Sequence, residues 1–142
     1  MDLTNLVLTS FEAFTKTYSV VLRKPYIAIK VQYAPRRDRS GKVTKEMIAF
    51  TIANGGIHEI DIQRIWFLTS FNRPVFSELL DSKMPLKLLG KDRFTYFVPT
   101  EELKTALNRS VGETIVGAVA FDKTGHKYTG RVDRVAQEEF AK

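Results

Sequence analysis

Apolar positions change their period at Pro25. Before it, Leu3, Val7, Phe11, Phe14, Tyr18 and Val21 recur at intervals of three and four. That spacing puts them on one face of a helix, with Thr4, Glu12, Thr15 and Lys16 largely opposite. Pro25 stops the helix and keeps Lys24 extended. After it the period becomes two. Ile27, Ile29, Val31 and Tyr33 alternate with Tyr26, Ala28, Lys30 and Gln32, the pattern of a half-buried strand. Residues 35–42 read as a polar loop and residues 47–53 as a second strand. Asn54-Gly55-Gly56 is a turn signal, because these residues take positive φ at low cost. Residues 60–71 form a long strand with bulk from Ile60, Ile62, Ile65, Trp66 and Phe67. Its alternation slips at Arg64-Ile65, which predicts a bulge there.

The second half is more broken. Val75, Phe76, Leu79 and Leu80 make an apolar patch of no clear period. Residues 84–89 read as a strand that Pro85 confines to an edge. Gly90-Lys91-Asp92 turns the chain into residues 93–98, where Phe94, Tyr96 and Val98 share a side. Pro99-Thr100-Glu101-Glu102 opens a brief helix ending near Asn108, with Thr100 as its cap and the glutamates at the positive end of its dipole. Residues 114–121 and 126–132 form a hairpin closed by Asp122-Lys123-Thr124-Gly125. Strict alternation there puts Ile115, Gly117, Val119 and Phe121 on one face and Val116, Ala118 and Ala120 on the other. A strand apolar on both faces belongs in the middle of a sheet with something covering its outside. The apolar face of residues 3–18, from the same chain or a neighbouring copy, is the largest surface that could cover it, with the helix over residues 100–108 as the smaller alternative. From Asp133 the tail forms a short helix or frays.

Roughly six to eight short strands, with turns between them and one late helix, describe a sandwich or barrel better than an α/β sheet. Parallel pairing would need helical crossovers, and no helical pattern lies between Tyr26 and Phe71. The expectation is a mainly β chain: an immunoglobulin-like antiparallel β-sandwich with an N-terminal helix and a short inserted helix. Residues 1–24 form the amphipathic helical segment and residues 25–142 the sandwich domain. Trp66, the one tryptophan, is expected in the core of the long strand.

Two stretches carry a resemblance. Phe50-Thr51-Ile52-Ala53-Asn54-Gly55-Gly56-Ile57-His58-Glu59-Ile60-Asp61-Ile62 is similar to the second and third strands of bacterial immunoglobulin-like domains, which often read as a strand ending in Asn-x-Gly with an apolar strand soon after. Val119-Ala120-Phe121-Asp122-Lys123-Thr124-Gly125-His126-Lys127-Tyr128 resembles their last hairpin. The resemblance covers residues 26–132 and extends to small bacterial and prophage-encoded proteins. It implies a binding or structural role. The N-terminal segment and the helix after Pro99 fall outside the usual pattern.

Composition narrows the chemistry. The 142 residues are 44% hydrophobic, enough for a core without a metal or disulfide staple. Cysteine is absent, which excludes disulfides, thiol nucleophiles and thiolate metal sites and fits a reducing compartment. Asp2, Glu12 and Lys16 interrupt what would otherwise resemble a signal peptide, and no run approaches the roughly 18 apolar residues of a membrane span. The expected compartment is the cytoplasm. No catalytic motif or cofactor fingerprint is present. His58-Glu59-x-Asp61 holds three metal-ligand types, but adjacent strand residues point to opposite faces, so at most two would converge.

The formal charge of +6 permits, without requiring, an anionic partner. Its densest expression is the loop with Arg36, Arg37, Arg39, Lys42 and Lys45 against only Asp38 and Glu46. That loop is either a solvated hairpin tip or a site for phosphates or an acidic partner. No aromatic is interleaved after Tyr33, so the loop by itself offers bases nothing to stack on. The leading expectation is a non-enzymatic interaction module that binds a protein partner or a second copy through Leu3, Val7, Phe11, Phe14 and Tyr18. Weak nucleic-acid or other polyanion binding through residues 36–45 is the alternative, followed by an unrecognised small-ligand carrier or enzyme. No cofactor is expected.

Overall fold

The computed structural model describes residues 26–142; the segment carrying Leu3, Val7, Phe11, Phe14 and Tyr18 lies outside the described residues. The chain runs along β1 (Ile27–Tyr33), out and back through a ribbon of β2 (Arg36–Arg37) and β3 (Val43–Lys45), and returns along β4 (Met47–Asn54). Next come β5 (Ile60–Thr69), β6 (Pro74–Val75), a one-turn helix α1 (Glu78–Asp81), β7 (Leu86–Leu88) and β8 (Arg93–Pro99). The last part holds α2 (Thr100–Lys104), a 3-10 turn (Arg109–Val111), β9 (Ile115–Asp122), β10 (Lys127–Arg131) and α3 (Arg134–Ala141).

The fold is mainly β, and its sheets are antiparallel. A three-stranded sheet has the order β1-β4-β8. A five-stranded sheet has the order β10-β9-β5-β6, with β7 also paired to β5. Side chains alternate across each strand, so one face of each sheet can be apolar. Val31, Ile48, Phe50, Ile52 and Val98 of the smaller sheet share one core with Ile62, Ile65, Phe67, Ala118 and Ala120 of the larger. Phe50 meets Phe67 edge-on across the middle, with ring centroids 6.0 Å apart. Both rings are fully buried, and such a contact adds about 0.5–1.5 kcal/mol to the area term.

The two sheets also touch along one side. Val31 makes a parallel bridge with Val132, and the Asp133 amide donates to the Val31 carbonyl at 3.0 Å. Gly130 packs directly on the backbone of Ile29, an approach that only a residue without Cβ permits. Asp133 then caps α3 by accepting from the Ala136 amide at 2.9 Å. Ala136 and Phe140 of α3 enter the core, so the tail is a docked helix.

Several local expectations need correction. Trp66 is not in the core. The register slips between Ile62 and Arg64, which leaves Gln63 as the extra residue and turns Ile65 and Phe67 inward. Trp66 therefore points out and is half-buried. A second slip, between Leu68 and Thr69, turns Ile115 into the core with Ala118 and Ala120, away from Gly117, Val119 and Phe121. Thr100 is not the cap of α2. Pro99 takes that position without a side-chain bond, Thr100 is buried in the first turn, and the helix stops at Lys104. Glu102 instead accepts from the Ser77 hydroxyl and the Glu78 amide, serving the start of α1. The polar loop of residues 35–42 contains β2, one strand of an ordered ribbon.

The β1–β10 seam generates a prediction. In Gly130→Ala the new methyl would overlap the Ile29 carbonyl, and backbone on both sides leaves little room to yield. The substitution should destabilise by about 1–3 kcal/mol, as overpacking does. Urea denaturation measures it; a loss no larger than that of an exposed alanine substitution would contradict the close approach.

Candidate binding surfaces

Three polar clusters are spent on holding loops. Glu113 is buried, and its carboxylate accepts a forked pair from Arg73, Nε at 2.9 Å and a terminal nitrogen at 2.7 Å. It also accepts from the Asn108 amide at 2.8 Å, and Arg73 reaches the Ala106 carbonyl at 2.8 Å. This clamp ties the turn after β5 to the loop before β9. The Arg73 guanidinium and the Asn108 amide hold the Glu113 carboxyl down to about 2. Asp122 does similar work at the β9–β10 turn. It accepts from the Thr124 amide and hydroxyl, the His126 amide and the Tyr128 hydroxyl. Burial pushes its carboxyl up, but these bonds win and it lies below the ordinary range. Gly125 closes that turn at φ +92°.

The ribbon is the third cluster. Asp38 accepts from the Ser40 amide and hydroxyl and from the Lys42 amide, which shapes the tip. The Ser40 hydroxyl and the tip amides hold the Asp38 carboxyl below its usual range. Glu46, at the base, accepts from the Tyr33 hydroxyl, and this bond raises the tyrosine to about 12. Both carboxylates are thus turned to local tasks. Arg36, Arg37, Arg39, Lys42 and Lys45 are all exposed, and none makes an ion pair among the described residues. Arg37 donates to the Gly41 carbonyl at 2.9 Å. Arg36 stands directly opposite Lys45 across the ribbon. Like charges in that relation oppose pairing.

Phe97 was out of reach of a local reading. It lies on β8, whose register places it beside Ala49 on the outward side of the smaller sheet. It is 52% exposed and lines a hollow of about 250 Å³ with Ala34, Pro35, Met47 and Arg36. The fold therefore brings an aromatic ring to the base of the basic ribbon.

The outward side of the larger sheet is different. The Trp66 ring lies 5.2 Å from Phe121 and 5.9 Å from Phe76, and Arg64 lies over both Trp66 and Phe76, at 5.9 and 5.3 Å from their centroids. Phe76 is 42% exposed, and Val119, the register partner of Trp66, is buried beside them. The sequence signal was present in Trp66 and Phe121, but their direction depends on the bulge.

His58 and His126 lie apart at turns, and among the described residues no group of three His, Asp or Glu side chains could hold a metal ion. Among them also, no helix is long and apolar enough to cross a membrane. Comparison of the chain with family models and with curated proteins finds no match to either.

The Glu113 clamp predicts a pH dependence. Its folded carboxyl titrates near 2 against an ordinary value of 4.5. A depressed carboxyl stabilises the fold fully above the unfolded value and loses that contribution as pH falls through the folded one. Glu113→Gln should therefore melt lower than the natural chain at neutral pH, and the two melting temperatures should converge between pH 4.5 and about 2. A gap that stays constant over that window would deny the ion pair its role.

Proposed function

We propose that this chain is an immunoglobulin-like protein-interaction module without catalysis, and that its contact surface is the outer face of the larger sheet. The strand order supports the fold reading. In immunoglobulin lettering β1, β4 and β8 correspond to A, B and E, and β10, β9, β5 and β7 to G, F, C and C′. The observation that carries the function is the outward cluster of Trp66, Phe76 and Phe121 with Arg64 laid over two of the rings. Tryptophan and arginine dominate the energetics of protein interfaces, and aromatics are enriched at them. The cluster leaves Phe76 42% exposed, apolar surface that a partner could cover.

The partner that suits this surface is the apolar face of residues 3–18, from the same chain or a second copy. Leu3, Val7, Phe11, Phe14 and Tyr18 would supply the complementary surface. A helix of that length spans about 24 Å, comparable to a strand of the sheet. The cysteine-free composition suits a cytoplasmic module.

The test uses the full chain. Val7→Asp with Phe11→Asp, and separately Trp66→Ser with Phe121→Ser, should each lower the melting temperature or the mass by light scattering. Combining the pairs should add little, because each breaks the same contact. Strictly additive effects, or no effect of the N-terminal pair on either quantity, would remove the contact. A monomer of unchanged stability in all variants would remove the module reading with it.

A further inference from the structure

The basic ribbon and the outer face of the smaller sheet form one continuous surface, and it lies on the opposite side of the molecule from the aromatic cluster. The outward positions run in rows across β1, β4 and β8. Ala28, Ala53 and Arg93 make one row, Lys30, Thr51 and Thr95 the next, and Gln32, Ala49 and Phe97 the third. None of these residues is acidic. The floor is low, because alanine and threonine fill its centre, with the two threonine hydroxyls 3.0 Å apart. Phe97 is the one aromatic in these three rows and stands at the end nearest the ribbon, where Arg36 shares its hollow.

Above that end the ribbon places Arg36 against Lys45 without an acid between them. The nearby carboxylates, Asp38 and Glu46, bond to the turn and to Tyr33, and neither forms an ion pair with Arg36 or Lys45 among the described residues. Two cations opposed across so short a ribbon weaken its pairing. The opposition is relieved when an anion sits between them.

We propose that this surface binds single-stranded nucleic acid, with the phosphate backbone crossing Arg36 and Lys45 and one base stacked on Phe97. A cationic track combined with an exposed ring on a flat sheet is the chemistry that holds single strands irrespective of sequence. A paired helix would reach the same cations but would keep its bases from the ring. Phe97 is therefore the residue that separates the two forms of nucleic acid. The site is independent of the Trp66 cluster and stands or falls apart from it.

The test is fluorescence anisotropy of the full chain with a labelled oligothymidylate of about 20 nucleotides, and with a duplex of equal length. The single strand should bind at micromolar protein, and the affinity should fall with salt by about 0.7 in log units per phosphate contact. Arg36→Ala with Lys45→Ala should flatten that slope by about 1.4. Phe97→Ala should weaken single-strand binding about tenfold while leaving both the salt slope and duplex binding unchanged. Phe97 is half exposed, so its variant should keep the natural melting temperature, which excludes misfolding as the cause. No anisotropy change at micromolar protein would overturn the proposal. So would a duplex bound as tightly as the single strand with no effect of Phe97→Ala. Displacement of the oligonucleotide by polyglutamate at equal charge, or binding of phosphatidylserine vesicles in preference to it, would assign the surface to an acidic protein or a membrane instead.

Discussion

The close approach of Gly130 to Ile29 is the contact on which the arrangement of the two sheets depends. Sheets packed only through side chains can slide, because hydrophobic contact is non-directional. Here backbone meets backbone at the seam, where the Val31–Val132 bridge and the Asp133 amide fix how far β10 lies from β1. The depth of the core follows from that distance. Phe50 and Phe67 fill it edge to face, and Phe140 of α3 packs into the same core. Asp133 sits at both events, donating across the seam and capping the helix, so closure of the sandwich and the start of α3 are coupled.

Charge is divided unequally between inside and outside. Glu113, Asp122, Asp38, Glu102 and Glu46 each accept hydrogen bonds that shape a turn or a helix start or anchor a base. Lysines and arginines have few such duties, Arg73 being the main exception. The two broad outer faces then differ in kind. One presents cations over small side chains, and the other presents rings.

Much of the strand layout was legible in the sequence, since period-two alternation around turn residues is a local signal. The β1 and β4 strands, the Asn54 turn and the closing hairpin with Gly125 are where the alternation puts them. The direction of side chains past a bulge was not legible. One extra residue at Gln63 sets the direction of every later side chain on β5, and this is why Phe67 and not Trp66 lies in the core. The same holds for Ile115 after the second slip. The helix start at Thr100 failed for another reason: Pro99 already supplies the extended backbone of a cap, and Glu102 was drawn to α1, a partner distant in sequence. Of the candidate sites, the ribbon's charge could be read directly. The meeting of Phe97 with Arg36 could not, because it rests on pairing between strands far apart in the chain.

The outer edge of β5 is shared by two short strands. β7 pairs with Ile60, Asp61 and Ile62 at one end, and β6 pairs with Phe67 and Leu68 at the other. A ten-residue strand with an open edge is a template on which any extended chain can continue the sheet. Here the template is cut into pieces, and the gap between them holds exposed Gln63 and Arg64. Growth by strand addition is thereby discouraged along this edge, and the route to runaway polymerisation or amyloid-like stacking is narrowed there. Along this edge, association is left to side chains rather than to backbone.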